Sequence, residues 1–254
     1  MKKIPEVTLL FWVTKICATT LGETGGDLLA QTMNVGYGLS SLLFIGFFLV
    51  TLAGQLAAKR YIPALYWAVI LATSTAGTTM SDYMDRTMGL GYATGTAILI
   101  TILLVVLGAW RLTEKSLSVS DITTRRGELF YWTAILFSNT LGTALGDYLA
   151  DDSGLGSGGG ALLIGSLLAL VVLAHYFTRI SSVLLFWIAF VLTRPFGATF
   201  GDLLTKPIEK QGLGFGTKGS SLILLGLLVA LVVYATMQVR RHPATTSTAP
   251  DSLI

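Results

Sequence analysis

The chain repeats one pattern four times: a tryptophan, nine residues, a glycine, three residues, a glycine or serine, and then an aspartate. In every copy the aspartate lies fifteen residues after the tryptophan, without a gap. The copies run from Trp12 to Asp27, Trp67 to Asp82, Trp132 to Asp147 and Trp187 to Asp202. A pattern that recurs at intervals of 55, 65 and 55 residues indicates four copies of one structural unit.

A glycine-rich link and a long apolar run follow each copy. Hydrophobic residues make up 53% of the chain and charged residues 12%, about half the charge of a soluble domain. Runs that can cross a bilayer, which takes roughly 17–25 residues, are Leu39–Ala57, Thr94–Trp110, Ala161–Phe177 and Ser220–Thr236. The motif itself lies in four further runs of about 20 residues. We therefore predict an all-α integral membrane protein with eight transmembrane helices, arranged as four parallel helical hairpins.

Basic residues predict the orientation of these hairpins. Eleven lie in the N-terminal, inter-repeat and C-terminal segments, whereas the links within repeats hold four. Because positive charge favours the cytoplasmic side, both termini are expected in the cytoplasm and the motif aspartates near the outer surface.

The repeats are expected to span residues 5–58, 61–113, 129–178 and 180–240. A polar cytoplasmic loop at 114–128 separates the second repeat from the third, and the tail 241–254 is predicted to be disordered. Parallel repeats can close into a ring around a central axis or form two packed halves, and the pattern favours neither.

Residues four apart share one face of a helix. In this register a polar stripe precedes the motif aspartates, and polar residues in a span usually face the bundle interior or a water-filled path. We predict that the path is lined by Thr19, Ser74, Thr78, Asn139 and Thr143. The candidate ion-binding residues are Asp27, Asp82, Asp147, Asp202 and Glu23. These aspartates are alternatively structural, bound to link amides or solvated at the interface.

The small residues of the motif predict close helix packing, because they let two backbones approach. The pairs are Gly22 and Gly26, Gly77 and Ser81, Gly142 and Gly146, and Gly197 and Gly201.

The tryptophans lie near the cytoplasmic ends of their spans. We interpret Trp12, Trp67, Trp132 and Trp187 as anchors at the membrane interface.

Three charged residues break the symmetry of the repeats. Lys15 and Glu23 occur only in the first repeat, and Arg194, near mid-membrane, occurs only in the fourth. A charge at the bilayer centre costs roughly 2.5–3.5 kcal/mol on insertion scales, so such charges usually pair. We predict a Glu23–Arg194 pair, which is either a static salt bridge or part of a gate or a proton- or ion-coupling device. Lys15 is the third candidate for this gate or charge pair.

Other chemistries are not supported. With one cysteine and two histidines, both histidines far from the aspartates, a thiolate or imidazole metal site is not expected. Oxygen ligands suit Mg²⁺, Ca²⁺ or Mn²⁺, and the four motif aspartates are then the candidate ligands. No enzyme motif occurs in a suitable context, so we expect no catalytic residues, no cofactor and no nucleic-acid partner. The expected partners are the lipid bilayer and a small cation or solute, and the oligomeric state is left open.

Four tandem units with two spans and one tryptophan each resemble a bacterial family of uncharacterised membrane-anchored proteins, built from a repeat of unknown function. The resemblance covers about Pro5–Arg240 and rests on Trp12, Trp67, Trp132 and Trp187. It implies a bacterial inner-membrane location and the four-hairpin organisation, and it brings no substrate.

Taken together, these features predict a small membrane transport protein that moves a hard, Mn- or Mg-like divalent cation through the polar path. The alternatives are a proton-coupled carrier of a small organic solute and a structural or sensory membrane protein in which the motif serves packing alone.

Overall fold

The computed structural model describes residues 3–119, 122, 124–210 and 212–241. Within them the chain forms eight long helices and no strands. The helices are α1 (Leu9–Asp27), α2 (Tyr37–Ala57), α3 (Pro63–Asp82), α4 (Tyr92–Glu114), α5 (Arg125–Asp147), α6 (Gly156–Phe177), α7 (Ser182–Thr205) and α8 (Gly216–Arg241). Arg241 therefore ends α8, and the rest of the tail predicted to be disordered lies outside the described residues.

The helix ends follow local sequence signals. The Thr8 hydroxyl accepts from the Phe11 amide at 3.4 Å before α1, and the Thr124 hydroxyl accepts from the Gly127 amide at 2.9 Å before α5, both typical N-caps. Pro63 begins α3, a position that needs no amide hydrogen. Each repeat is thus one helix, a link and a second helix, as the hairpin prediction requires.

The links themselves differ between repeats. In the first three, a π-helical turn follows the motif aspartate, at Leu28–Thr32, Tyr83–Thr87 and Tyr148–Asp152. The fourth repeat has a longer link with a short 3₁₀ turn at Ile208–Lys210 instead. The chain then reverses at glycines with positive φ, such as Gly91 at 74°, where a side chain would be strained.

The first helices of the repeats form a closed inner ring. In order around the ring, α1 packs on α3, α3 on α5, α5 on α7, and α7 on α1. The second helices lie outside it, with α2 on α3, α4 on α5, α6 on α7 and α8 on α1. Each repeat therefore packs its second helix mainly on the following repeat, and the last closes on the first. Of the two packings compatible with the sequence, the structure has the ring.

Glycines allow the inner helices to approach. The glycine five residues before each motif aspartate faces the next inner helix, with the pairs Gly22–Ser74, Gly77–Asn139, Gly142–Arg194 and Gly197–Thr19. A Cβ on Gly77 would lie 2.9 Å from the Asn139 backbone carbonyl carbon, which is too close for a side chain. The same contact thus recurs around the whole ring.

Five helices are long and apolar enough to cross a membrane by length and composition: α2, α4, α6, α7 and α8. They indicate a multi-pass membrane protein. The inner helices α1, α3 and α5 carry the polar stripes, which point into the ring and are buried there. That eight helices span the membrane, and that both termini are cytoplasmic, stay predictions.

Candidate functional site

The polar stripes meet at the centre of the inner ring, where they form successive layers. Four, eight and twelve residues before the motif aspartates, the layers are Glu23, Thr78, Thr143 and Ala198; Thr19, Ser74, Asn139 and Arg194; and Lys15, Ile70, Ile135 and Phe190. All twelve side chains are buried, with at most 2% of each residue exposed. The candidate path-lining residues thus share one axis, and they are packed together rather than around an open channel.

Arg194 closes this axis. From α7 its Nη2 donates to Glu23 Oε2 on α1 at 2.8 Å, to Thr143 Oγ1 on α5 at 2.6 Å and to Thr78 Oγ1 on α3. One guanidinium therefore contacts the equivalent residue of each other inner helix. The Glu23–Arg194 contact expected from the sequence is present, and whether it acts as a gate stays a prediction.

Lys15 lies one turn deeper, towards the N-terminal ends of the inner helices. Its Nζ donates to Asn139 Oδ1 at 3.3 Å and lies 4.1 Å from the ring centroid of Phe190. Asn139 in turn donates to Thr73 Oγ1 at 2.9 Å. Lys15 therefore has an amide and an aromatic face as its described partners, and it does not join Glu23 and Arg194.

Two basic residues of the links bind motif aspartates where the inner helices end. Arg86 Nε lies 2.8 Å from Asp82 Oδ1, and its Nη2 lies 3.3 Å from Asp147 Oδ2. Lys206 Nζ lies 2.8 Å from Asp202 Oδ2 and 2.9 Å from Asp151 Oδ1. Sequence reasoning missed these pairs, although the spacing of four residues from Asp82 to Arg86 and from Asp202 to Lys206 was a usable signal.

The electrostatics of the links follow from these contacts. Burial by itself lowers the pKa of Lys206, but the carboxylates of Asp202 and Asp151 outweigh it and raise that pKa above its ordinary value. Burial raises the pKa of the Asp85 carboxyl, and the Ser81 hydroxyl and Arg86 oppose it only in part. Lys206 thus favours its charged form and joins the third repeat to the fourth.

Three carboxylates lie together between the first and fourth repeats, and we call this cluster the three-carboxylate corner. Ligand oxygens of Glu23, Asp27 and Asp202 all lie within 4.8 Å of one another. Asp27 accepts a hydrogen bond from Gln31 Nε2 at 2.6 Å, and no ion pair to Asp27 forms among the described residues. The predicted set of four aspartates is therefore divided: Arg86 joins Asp82 to Asp147, whereas Asp27 and Asp202 lie with Glu23.

The second small residue of the motif also lies in the helix contacts. Gly26 faces Thr78, Gly146 faces Ala198, and Gly201 faces Glu23. Ser81, the one serine at this position, is fully buried and donates to Asp85 Oδ2 at 3.3 Å. These glycines therefore allow close contact between neighbouring inner helices at the layer of Glu23, Thr78, Thr143 and Ala198, where Arg194 binds.

The tryptophans do not lie as an interfacial anchor requires. Trp67, Trp132 and Trp187 are 3%, 1% and 6% exposed and pack against neighbouring aromatic rings, and Trp187 Nε1 donates to the Leu117 carbonyl at 3.0 Å. Only Trp12 is partly exposed. An anchor needs its indole at the lipid headgroups, so the interpretation is corrected for the three buried rings, which belong to the protein core.

Comparison with known proteins identifies the repeat. The family model described as "Repeat of Unknown Function (DUF347)" matches four times, at residues 10–61, 65–116, 130–181 and 185–241. No curated protein and no solved structure matches the chain significantly. The four matches coincide with the four hairpins, and they bring no activity with them.

Proposed function

Since the chain belongs to the DUF347 repeat family, whose function is unknown, we propose its role from the geometry of the ring. The protein is an eight-span membrane transport protein of the bacterial inner membrane, and it moves a hard divalent cation along the axis of the inner ring. The excess of basic residues in the terminal and inter-repeat segments supports an orientation with the three-carboxylate corner on the outer side.

The position of Glu23 carries this proposal. Its Oε2 accepts from Arg194 at 2.8 Å, and the same carboxylate belongs to the corner with Asp27 and Asp202. A cation bound at the corner and the guanidinium of Arg194 would therefore compete for one negative charge. Because Arg194 also bridges the inner helices, binding of a cation would loosen one of the contacts that close the axis.

The chemistry of the corner favours a hard cation. Three carboxylates supply oxygen ligands, which suit Mn²⁺, Mg²⁺ or Ca²⁺. The buried positions of Lys15, Glu23 and Arg194 support transport over a purely structural role. Each such charge is costly in a bilayer, and intramembrane charges mark ion pathways more often than they serve stability alone.

The test is Mn²⁺ uptake into proteoliposomes that contain the purified chain and a trapped dye quenched by Mn²⁺. We expect uptake above that of empty liposomes and an initial rate at least about tenfold lower for Asp27→Asn, since the corner loses a charged ligand. Asp152→Asn is the matched control. Asp152 is exposed in the link of the third repeat and forms no ion pair among the described residues, so its rate should equal that of the native chain.

Uptake no faster than in empty liposomes, or equal rates for Asp27→Asn and the native chain, would overturn the proposal. In the first case, dissipation of a pH gradient on adding small organic solutes would favour a proton-coupled carrier. A folded protein that moves neither ions nor solutes would favour a structural or sensory role.

A further inference from the structure

The N-terminal segment, residues 3–8, crosses the ring instead of ending beside its own helix. It forms no helix or strand, and α1 begins at Leu9. Lys3 Nζ donates to Glu128 Oε2 at 2.9 Å, and Glu128 lies in the first turn of α5. Because the order around the ring is α1, α3, α5 and α7, α1 and α5 are diagonally opposite. The N-terminal segment therefore passes over the end of the axis at which the inner helices begin.

Further hydrogen bonds fix the far side of this crossing. Lys3 Nζ also donates to the Leu56 carbonyl at 3.1 Å, and Gln55 Nε2 donates to the Lys3 carbonyl at 3.3 Å. Both partners lie in the last turn of α2. Glu128 is 5% exposed, and Lys3 is its one ion-pair partner among the described residues. Lys3 thus attaches the segment to the ends of two helices that do not belong to its own hairpin contact with α3.

The rest of the segment is loosely packed. Ile4 is partly buried against the core, whereas residues 6–8 are exposed. A cavity of about 320 Å³ lies between the segment and the side chains of Val119 and Ile122 in the loop before α5. Segments with few buried contacts open locally at a low cost in free energy. The attachment to the far side of the ring therefore depends mainly on Lys3.

Beneath the segment, the axis ends in an aromatic layer. Sixteen residues before the motif aspartates stand Phe11, Tyr66, Tyr131 and Phe186. The hydroxyls of Tyr66 and Tyr131 are 2.7 Å apart, and both residues are 0% exposed. Tyr66 is only the fourth residue of α3. A side chain so near the start of its helix is shielded from solvent only where something covers it, and the N-terminal segment crosses at this place.

We propose that the N-terminal segment is a lid over this end of the axis, and that the Lys3–Glu128 ion pair holds it closed. This inference rests on the proposed function, in which the lid controls access of the cation to the axis. The side chains of Lys3 and Glu128 are 21% and 6% exposed. Water can therefore reach the ammonium when the pair separates, which makes this contact weaker and more easily reversed than the enclosed contact of Arg194.

The first experiment measures the lid without transport. Ile4→Cys, combined with Cys17→Ser, gives a single thiol on the segment, and its reaction with a charged maleimide reports lifting of the lid. Adding Lys3→Gln removes the cation without touching the ring, and labelling should become at least about threefold faster. Glu6→Gln is the matched control, because Glu6 is exposed on the same segment and forms no ion pair among the described residues. Lys3→Glu with Glu128→Lys restores the pair in reverse and should bring the labelling rate back towards that of the starting chain.

The second experiment is the Mn²⁺ uptake assay, in the chain that keeps Cys17. If lifting of the lid limits entry, Lys3→Gln should raise the initial rate at least about twofold, whereas Glu6→Gln should leave it unchanged.

The outcomes separate the two proposals. Equal labelling rates with and without Lys3→Gln would refute the ion pair as the contact that holds the lid. Faster labelling with an unchanged or lower uptake rate would refute the control of access, while the proposed function stands. A native chain that takes up no Mn²⁺ would refute the proposed function and the control of access with it, and labelling would still show whether the ion pair holds the segment over the ring.

Discussion

Neutralising Glu23 and Arg194 singly and together tests whether their contact closes the ring. The pair is fully enclosed, with Arg194 0% and Glu23 3% exposed at the side chain and 2.8 Å between Nη2 and Oε2. Removing one partner of such a pair leaves the other charge buried and costs about 3–5 kcal/mol. Glu23→Gln and Arg194→Gln should therefore each destabilise the protein by about that amount.

The double substitution leaves two neutral amides where two opposite charges lay. Since neither charge is then stranded, its cost should fall short of the sum of the single costs by about 2 kcal/mol or more. The free energy of unfolding is measured in mixed micelles by titration with a denaturing detergent. The Lys206–Asp151 pair is the control, because its side chains are 25% and 38% exposed and a partly exposed pair should show a coupling below about 1 kcal/mol.

Additivity would refute the reasoning. If the two single costs sum to the double cost within about 0.5 kcal/mol, the charges do not interact in the folded protein. The structural closure of the axis by Arg194 would then be wrong, and with it the competition between Arg194 and a bound cation.

Two further predictions concern the packing of the inner ring. Gly77→Ala should destabilise the protein by about 1–3 kcal/mol, because the new Cβ would lie 2.9 Å from the backbone of α5. Gly108→Ala on α4, where nothing lies within 4 Å, should be neutral or slightly stabilising, and equal losses would contradict the close approach. Tyr66→Phe should cost about 1–3 kcal/mol, since the buried Tyr131 hydroxyl loses its partner at 2.7 Å. Tyr148 is partly exposed and has no described hydroxyl partner, so Tyr148→Phe should change the unfolding free energy by less than about 0.5 kcal/mol. A similar loss for both substitutions would show that the Tyr66 contact is not the cause.

Much of the fold could be predicted because its signals are local. Apolar length, capping residues and the fixed spacing of the motif specify helices and links within each repeat, and the eight helices of the structure begin and end close to the expected positions. The Glu23–Arg194 contact was also predictable. Charges within a membrane helix usually pair with one another, and in the aligned repeats Glu23 lies one turn from the position of Arg194.

The outer pairs were harder to predict. Arg86 and Lys206 lie in polar links, where a charge is ordinary and needs no partner, so nothing in composition singles them out. The interpretation of the tryptophans as interfacial anchors was wrong for a related reason. An aromatic residue near the end of a span fits both a lipid interface and a core, and only the neighbouring helices decide between them. In the ring those neighbours bury Trp67, Trp132 and Trp187.

The sequence by itself determined four equivalent helical hairpins with small residues and an aspartate at fixed places. Because the four patterns are equivalent, they do not indicate which repeat packs next to which. Only the tertiary structure decided that the ring closes α7 on α1, and this closure brings the unique Arg194 to the unique Glu23 and places Asp202 beside Asp27. Helix formation depends on near neighbours along the chain, whereas the meeting of unequal side chains depends on long-range packing around the whole ring.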